Sequence, residues 1–278
     1  MPSWVDTQLI GRVLVATLSR PPVNALDDTL IGQLHAVLDK AIADAGVSVL
    51  HIRSSQRVFC AGADLALIRA CFETAQGPDE MTEVVRHMQR LYERLEVAPL
   101  ATVAEIGGAA LGGGLELGLA CDFRVAALDA TLGLPEAALG LLPGAGGTQR
   151  LTRLCGPGVA KRLILGAEVI GGAQALQLGI VQWALPRGES RGAAGKHAQG
   201  GAGRQQALHR GAGRPRSRWF CRRDRRNTKP LRPPRDAPQG GGVPGPRCAR
   251  CRVKLRRMIG GSISPALNPL AAQAQEGA

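Results

Sequence analysis

The stretch Ala109–Leu117, which reads AALGGGLEL, places three consecutive glycines and one glutamate inside an otherwise apolar run. Glycine is a poor helix former, and an apolar neighbourhood destabilises a carboxylate. One interpretation is structural, with glycines that allow close packing and Glu116 as a first-turn acid favoured by the helix dipole. The other interpretation is a reaction centre. The stretch alone leaves both open.

The predicted order of strand, triple glycine and helix has a chemical use. The first turn of a helix presents unpaired N–H groups and the positive end of the dipole, and glycine lets a ligand approach the backbone closely. An oxygen that gains negative charge during a reaction would be stabilised there. Glu116 follows Gly113 by three residues, so it lies in the same turn and could transfer protons beside that oxygen.

Two further stretches favour the reaction centre. FCAGADL (59–65) is a small-residue turn that could aim a second N–H group at the same oxygen. GLPEAALGLLPGAGGTQRL (133–151) supplies a second carboxylate, Glu136, directly after Pro135. Two glutamates on separate elements suit paired acid–base chemistry, in which one activates water and the other delivers a proton.

Apolar periodicity predicts strands that alternate with helices, which is typical of a layered α/β domain. A β-rich run within 8–18 ends at the turn Pro21-Pro22. Further strands are predicted at 47–52, 100–106, 122–126 and 180–185, and helices at 30–42, 84–95, 157–165 and 172–178.

With these motifs in place, residues 1–186 strongly resemble the crotonase superfamily and, within it, the enoyl-CoA hydratases. The resemblance implies an α/β fold of repeated β-β-α superhelical turns and binding of acyl-coenzyme A thioesters as substrates. It implies neither a metal nor a redox cofactor. The matching stretches are RPPVNAL (20–26), FCAGADL (59–65), ALGGGLELGLACD (110–122), GLPEAALGLLPGAGGTQRL (133–151) and LGIVQWALP (178–186).

The resemblance also assigns roles by position. The backbone N–H groups of Ala63 and Gly113 would form an oxyanion hole for the thioester carbonyl. Glu116 would orient and activate water for attack at the β-carbon, and Glu136 would help to hold the water and protonate the α-carbon. Because both glutamates are present, hydration of a 2-enoyl thioester is favoured over isomerisation, decarboxylation or dehalogenation. The residues expected to line the substrate are Ala61, Gly62, Asp64, Leu65, Gly112, Leu134 and Pro135.

Other candidate residues have structural interpretations. We expect His35 and His87 to be surface or interface residues, and Cys60 and Cys121 to be packing residues. Asp64 is expected to cap a helix rather than to catalyse. The loops within 66–85 are the expected source of acyl-chain specificity. Cys248-Ala-Arg-Cys251 has no second pair at zinc-like spacing, so no metal site is predicted.

The charge is divided unevenly along the chain. Residues 1–186 hold 14 Lys and Arg against 18 Asp and Glu, a net charge of −4, whereas residues 187–278 hold 21 against 4, a net charge of +17. The last third is also rich in Pro and Gly without a repeat, which is typical of disordered sequence. We therefore expect a catalytic core at 1–186 and a separate basic segment at 187–278.

The basic segment has two interpretations. A basic arm could bind nucleic acid electrostatically, making the protein a non-catalytic, crotonase-like binding protein. A shifted reading frame would instead replace the amphipathic helices that, in the family, cover the active site and contribute to homotrimer or hexamer contacts. The abrupt break inside the expected fold favours the shifted frame, so nucleic acid is not an expected partner. Without those helices the chain could be an inactive hydratase.

Cellular context follows from composition and from the resemblance. No apolar run reaches the ~18 residues of a membrane span, and the N-terminus lacks a charged segment followed by an apolar one. Seven scattered cysteines suit a reducing compartment. We expect a cytoplasmic protein without a membrane partner, and the resemblance implies a role in fatty acid metabolism.

Overall fold

The computed structural model describes residues 2–74 and 76–189, and the expectations for the basic segment fall almost entirely outside these residues. The strands are β1 (Val5–Ile10), β2 (Val13–Leu18), β3 (Val49–Ser54), β4 (Ala101–Ile106), β5 (Ala110–Leu111), β6 (Phe123–Ala127), β7 (Thr131–Gly133), β8 (Val169–Gly171) and β9 (Trp183–Leu185). The α-helices are α1 (Asp28–Ala43), α2 (Leu65–Glu73), α3 (Gly77–Glu96), α4 (Gly113–Ala120), α5 (Gly147–Leu165) and α6 (Gly172–Gln177), and a 3-10 helix spans Pro135–Leu139.

Two sheets organise these elements. The larger has the strand order β1-β2-β3-β4-β6-β9, and all its pairs are parallel except the β1–β2 hairpin. The smaller has the order β5-β7-β8. Helices α1, α3 and α4 lie between successive strands of the larger sheet, as parallel pairing requires. The result is the mixed α/β architecture of repeated strand and helix turns that the sequence predicted.

Burial of the helical stripes forms the core. The predicted stripe of α1 is buried at Leu30, Ile31, Leu34, Val37, Leu38 and Ala41. Helix α3 buries Val84, Met88, Leu91, Tyr92 and Leu95 in the same cluster, against the apolar residues of β2, β3 and β4. Asp27 starts α1 by accepting a hydrogen bond from the N–H of Leu30 at 2.8 Å.

Several element bounds differ from the sequence expectation. The region 66–85, expected as loops, contains α2 and the first turns of α3, so the second helix begins at residue 77 rather than 84. The α2 helix has apolar residues at helical spacing (Leu65, Ile68 and Phe72), yet it buries only Cys71.

The C-terminal elements also differ. Helix α5 starts at Gly147 rather than at 157, because the turns before Pro157 are helical and only Gly156 (φ +78°) interrupts them. Strand β9 is confined to 183–185, since Ile180 and Val181 lie in the turn that follows α6. No helix among residues 2–74 and 76–189 is long and apolar enough to cross a membrane.

Candidate active site

The triple glycine forms the junction between β5 and α4. Gly112 has φ +51° and ψ −127°, a conformation that L side chains rarely adopt, and Gly113 is the first residue of α4. All eight residues of this helix are buried. The sharp turn therefore brings the N-terminal end of a short, enclosed helix to the carboxyl end of a short strand.

The FCAGADL turn lies directly beside this helix start. Cys60 pairs with Ala110 in a parallel bridge. A Cβ on Gly62 would lie 3.2 Å from the backbone nitrogen of Gly113, and a Cβ on Gly113 would lie 3.6 Å from the nitrogen of Ala63. The structure thus brings together the two N–H groups that the sequence singled out. Neither group donates a hydrogen bond to any other residue that the structure describes.

The turn is held by residues of the RPPVNAL motif. Leu26 bridges Ala63, donating its N–H to the carbonyl of Gly62 at 2.8 Å and accepting the N–H of Asp64 at 3.0 Å. Arg20 Nη2 lies 2.8 Å from Oδ2 of Asp64. The fully buried Asn24 donates to the Phe59 carbonyl at 2.9 Å. These contacts fix the backbone of the turn from the side facing α1.

Glu116 lies in the first turn of α4 and is only 2% exposed. Its Oε1 accepts the N–H of Ala145 at 2.9 Å and that of Gly147 at 2.7 Å. No described residue donates to its Oε2. Burial raises the pKa of Glu116 to about 7, and the nearby Glu136 also raises it, while the two N–H donors and Arg150 act in the opposite direction. The carboxylate can therefore exchange protons near neutral pH.

Glu136 lies on the 3-10 helix and faces the same turn. Its Oε1 would lie 3.0 Å from a Cβ on Gly112, so a side chain at position 112 would press against this carboxylate. Its Oε2 is buried and has no hydrogen-bond partner among the described residues. Burial raises the pKa of Glu136 as well. Two carboxyl groups with raised pKa values thus flank the helix start that carries the unpaired N–H groups.

The remaining predicted substrate-lining residues have mixed environments. Asp64 caps α2 by accepting the N–H of Ala66 at 3.0 Å, as the sequence analysis expected. Ala61 uses its N–H in a 3.1 Å bond to the Val23 carbonyl. Leu65 is 65% exposed, whereas Leu134 is completely buried. Pro135 begins the 3-10 helix that carries Glu136.

Sequence reasoning missed the residues that hold Glu116. The PGAGGTQR cluster (143–150) had no predicted role of its own, yet the N–H groups of Ala145 and Gly147 in that cluster bind the carboxylate. A Cβ on Gly147 would lie 2.8 Å from Oε1 of Glu116. The signal available in the sequence was the pair of adjacent glycines before a helix, which is a typical site for close backbone approach to an anion.

The secondary candidates are structural, as expected. Cys60 and Cys121 are buried, and burial raises the pKa of each thiol to about 12, so both are neutral packing residues near pH 7. His35 and His87 stack between α1 and α3 with ring centroids 5.1 Å apart. Over residues 2–74 and 76–189, no group of three His, Cys, Asp or Glu residues could hold a metal ion.

Comparison with known proteins identifies the family. The sequence model of the enoyl-CoA hydratase/isomerase family matches residues 10–205, a span that extends beyond the expected boundary at 186. The chain belongs to this family. A solved structure of enoyl-CoA hydratase from Bacillus anthracis superposes with a TM-score of 0.66 at 34% identity, covering 71% of this chain and 76% of that one.

Relatives of this family member differ in the substrates that their names state. A probable enoyl-CoA hydratase of Bacillus subtilis (strain 168) is 45% identical over 169 residues, covering 61% of this chain and 64% of the relative. A 2,3-dehydroadipyl-CoA hydratase of Escherichia coli (strain K12) is 42% identical over 176 residues, covering 63% of this chain and 66% of the relative. The chain thus matches slightly less than two-thirds of each relative's length.

Proposed function

We propose that the protein hydrates 2-enoyl-CoA thioesters, adding water across the C2–C3 double bond. The observation that carries this proposal is the buried Glu116 and the half-buried Glu136, whose Oε2 is shielded, beside the unpaired N–H groups of Ala63 and Gly113. Paired carboxyl groups supply a base and an acid, and paired N–H groups supply an oxyanion hole.

In the proposed mechanism, water lies between the two carboxyl groups. Ionised Glu116 accepts a proton from the water molecule while the oxygen of that water forms a bond to C3. The electron pair of the double bond shifts towards the thioester carbonyl, whose oxygen gains negative charge and accepts hydrogen bonds from Ala63 and Gly113. Protonated Glu136 then delivers a proton to C2. Proton exchange with solvent restores the starting state, so the net reaction is addition of one water molecule.

The positive end of the α4 dipole supports the same step. The N–H of Gly113 is the first of the helix, where partial positive charge is concentrated. Because α4 is entirely buried, water screens this charge little, and its effect on a developing oxyanion is larger than at an exposed helix. Loss of one such donor typically lowers kcat by about 10²–10³.

The acyl group, the assembly and the cellular role belong to the same proposal. One relative is named for 2,3-dehydroadipyl-CoA and another for enoyl-CoA in general, so the names of the relatives do not fix the acyl group of this chain. The α2 helix and the start of α3 occupy the region expected to set this specificity. A homotrimer or hexamer, a role in fatty acid metabolism and a cytoplasmic location are predictions from the family resemblance.

Two alternatives stay distinguishable by experiment. Isomerisation of a 3-enoyl-CoA needs a proton shuttle but no attacking water, and the presence of two carboxyl groups favours hydration. The nucleic-acid-binding alternative concerns residues that lie almost wholly outside the described ranges, and no observation favours it.

The test is turnover of crotonyl-CoA by the full chain, followed as loss of absorbance of the conjugated thioester. We expect hydration, with 3-hydroxybutyryl-CoA as the product. In a parallel assay, 3-hexenoyl-CoA should not be converted to the 2-enoyl isomer at a comparable rate. Isomerisation without hydration would contradict the proposal, as would salt-sensitive RNA binding by a chain that does not turn over crotonyl-CoA.

A further inference from the structure

Arg150 is a buried cation beside the turn Ala145–Gly147, whose N–H groups bind Glu116; we call this turn the clamp. Arg150 lies one turn into α5 and is 8% exposed. Its Nη1 donates to the carbonyl of Ala145 at 2.9 Å. Ala145 is one of the two residues whose N–H groups bind Oε1 of Glu116. One peptide segment is therefore held by a guanidinium on one side and holds a carboxylate on the other.

The opposite edge of the guanidinium is fixed by the last residue of α3. Nε and Nη2 of Arg150 lie 3.2 Å and 3.0 Å from Oε2 of Glu96. Two hydrogen bonds to one carboxylate oxygen restrict rotation of the guanidinium plane. Because α3 packs in the core through Leu91 and Leu95, the pair connects the clamp to a rigid helix.

The turn between the clamp residues packs closely against the same guanidinium. A Cβ on Gly146 would lie only 2.2 Å from Nη1 of Arg150. Gly146 also has φ +100°, which favours glycine at this position. The turn that aims the two N–H groups is thus shaped around Arg150.

The charges that face Glu116 come from three elements. Glu136 on the 3-10 helix opposes ionisation of Glu116, and Arg150 on α5 favours it. Tyr92 on α3 is fully buried, and burial holds the pKa of its hydroxyl well above the ordinary value, so the group is neutral. Arg150 is therefore the one positive side chain among these groups.

We propose that Arg150, held in place by Glu96, is a positioning residue that orients the Ala145–Gly147 turn and places a positive charge behind the Glu116 carboxylate. The inference rests on the proposed function for its kinetic consequence, but the orientation and charge of Glu116 can be measured without turnover. Arg150 does not touch the reacting atoms. It acts through the turn and through its charge.

The experiment measures the pKa of the Glu116 carboxyl by carbon NMR on the full chain labelled with ¹³C-glutamate, with the signal assigned by its loss in Glu116→Gln. Arg150→Met removes the charge and all three hydrogen bonds, and should raise this pKa by about 1 unit. Arg150→Lys keeps the positive charge, so the pKa of Glu116 should stay close to the wild-type value. The lysine cannot span Ala145 and Glu96, so the orientation of the turn should still be lost. The matched control is Arg162→Met, which removes an exposed arginine of the same helix that pairs with Glu168.

The variant Glu96→Gln tests the direction in which the pKa of Glu116 changes. The amide oxygen still accepts hydrogen bonds from Arg150, whereas the negative charge is gone. The pKa of Glu116 should therefore move slightly downward, opposite to its change in Arg150→Met. A general loosening of the structure would move both variants in the same direction. Should Arg150→Met fail to fold, Arg150→Lys and Glu96→Gln still decide the proposal.

Kinetics separate this inference from the proposed function. With crotonyl-CoA, both Arg150 variants should lose about 10- to 100-fold in kcat, and Arg162→Met should match the wild type. A wild type without hydratase activity would overturn the proposed function, and the NMR titration would still decide the role of the pair. An unchanged Glu116 pKa in a folded Arg150→Met, or a change equal to that in Arg162→Met, would overturn the inference.

Discussion

The N–H of Gly147 donates a 2.7 Å hydrogen bond to Oε1 of Glu116. The same glycine leaves no room for a side chain, because a Cβ there would lie 2.8 Å from that oxygen. The first residue of α5 therefore fixes, through its backbone, the carboxylate that we place at the attacking water. This contact connects two motifs that are 31 residues apart in the chain.

Replacement of Gly147 by alanine should displace the Glu116 carboxylate and lower kcat with crotonyl-CoA by about 100-fold. Gly158→Ala is the matched control, because it lies in the same helix and a Cβ there meets no atom within 4 Å. The control should retain full activity and at least wild-type stability. Steady-state kinetics of the two variants decide this prediction, and equal activities would contradict it.

Hydration should depend on pH through Glu116, whose pKa is raised to about 7 by burial. Since the base must be ionised, kcat should increase as the pH rises through about 7. The apparent pKa belongs to the coupled pair of Glu116 and Glu136. A profile of kcat against pH tests this, and a rate that only falls between about pH 6 and 8 would argue against an ionised base.

The raised pKa of Glu116 also predicts a cost in stability. The folded state holds the proton up to about pH 7, whereas the unfolded state releases it near the ordinary 4.5, so stability falls as the pH rises between these values. Glu116→Gln removes this effect and keeps an acceptor for both N–H groups. We expect this variant to be more stable than the wild type at pH 8, with a free energy of unfolding up to about 3 kcal/mol larger.

Denaturant titrations at two pH values measure this cost. The difference between Glu116→Gln and the wild type should be small near pH 4 and largest above pH 7. A difference of the same size at both pH values would show that the glutamine stabilises the fold for a reason unrelated to ionisation.

Tyr92 on α3 forms a hydrogen bond to the first residue of α4. Its hydroxyl is buried and donates to the carbonyl of Gly113 at 2.7 Å. Tyr92→Phe leaves this carbonyl buried without its donor, which should lower the free energy of unfolding by about 1–2 kcal/mol. Because the N–H of Gly113 is proposed to bind the substrate oxygen, kcat should also fall. An unchanged unfolding midpoint in denaturant would contradict this assignment.

Much of the fold follows from apolar periodicity. Helix α1 is predictable because its buried apolar residues recur at helical spacing, and β4 is predictable because it is a short, mostly apolar run that is buried throughout. Apolar spacing at Leu65, Ile68 and Phe72 was also available for α2, although only Cys71 is buried along that helix. In α5, the glycines that suggest a turn are needed for close contacts with Glu116 and Arg150, and they obscure the helix that they begin.

The site was predictable only in part. Glu116, Glu136 and the two glycine-flanked N–H groups stand out because charge and glycine are unusual within apolar sequence. Arg150 and Glu96 do not stand out, because a single charge on a helix usually faces solvent. The burial of Arg150 and its contact with the half-buried Glu96 arise from the packing of α3 against the start of α5, between residues 54 positions apart.

The most direct test compares kcat with binding in two variants, Glu116→Gln and Glu136→Gln. Each should lose at least about 100-fold in kcat for crotonyl-CoA hydration, because each lacks one half of the acid–base pair. The dissociation constant for the acyl-CoA, measured by calorimetry, should stay near that of the wild type. Glu93→Gln, an exposed position on α3, is the control and should be fully active. Near-wild-type turnover in either Glu116→Gln or Glu136→Gln would contradict the two-carboxylate mechanism.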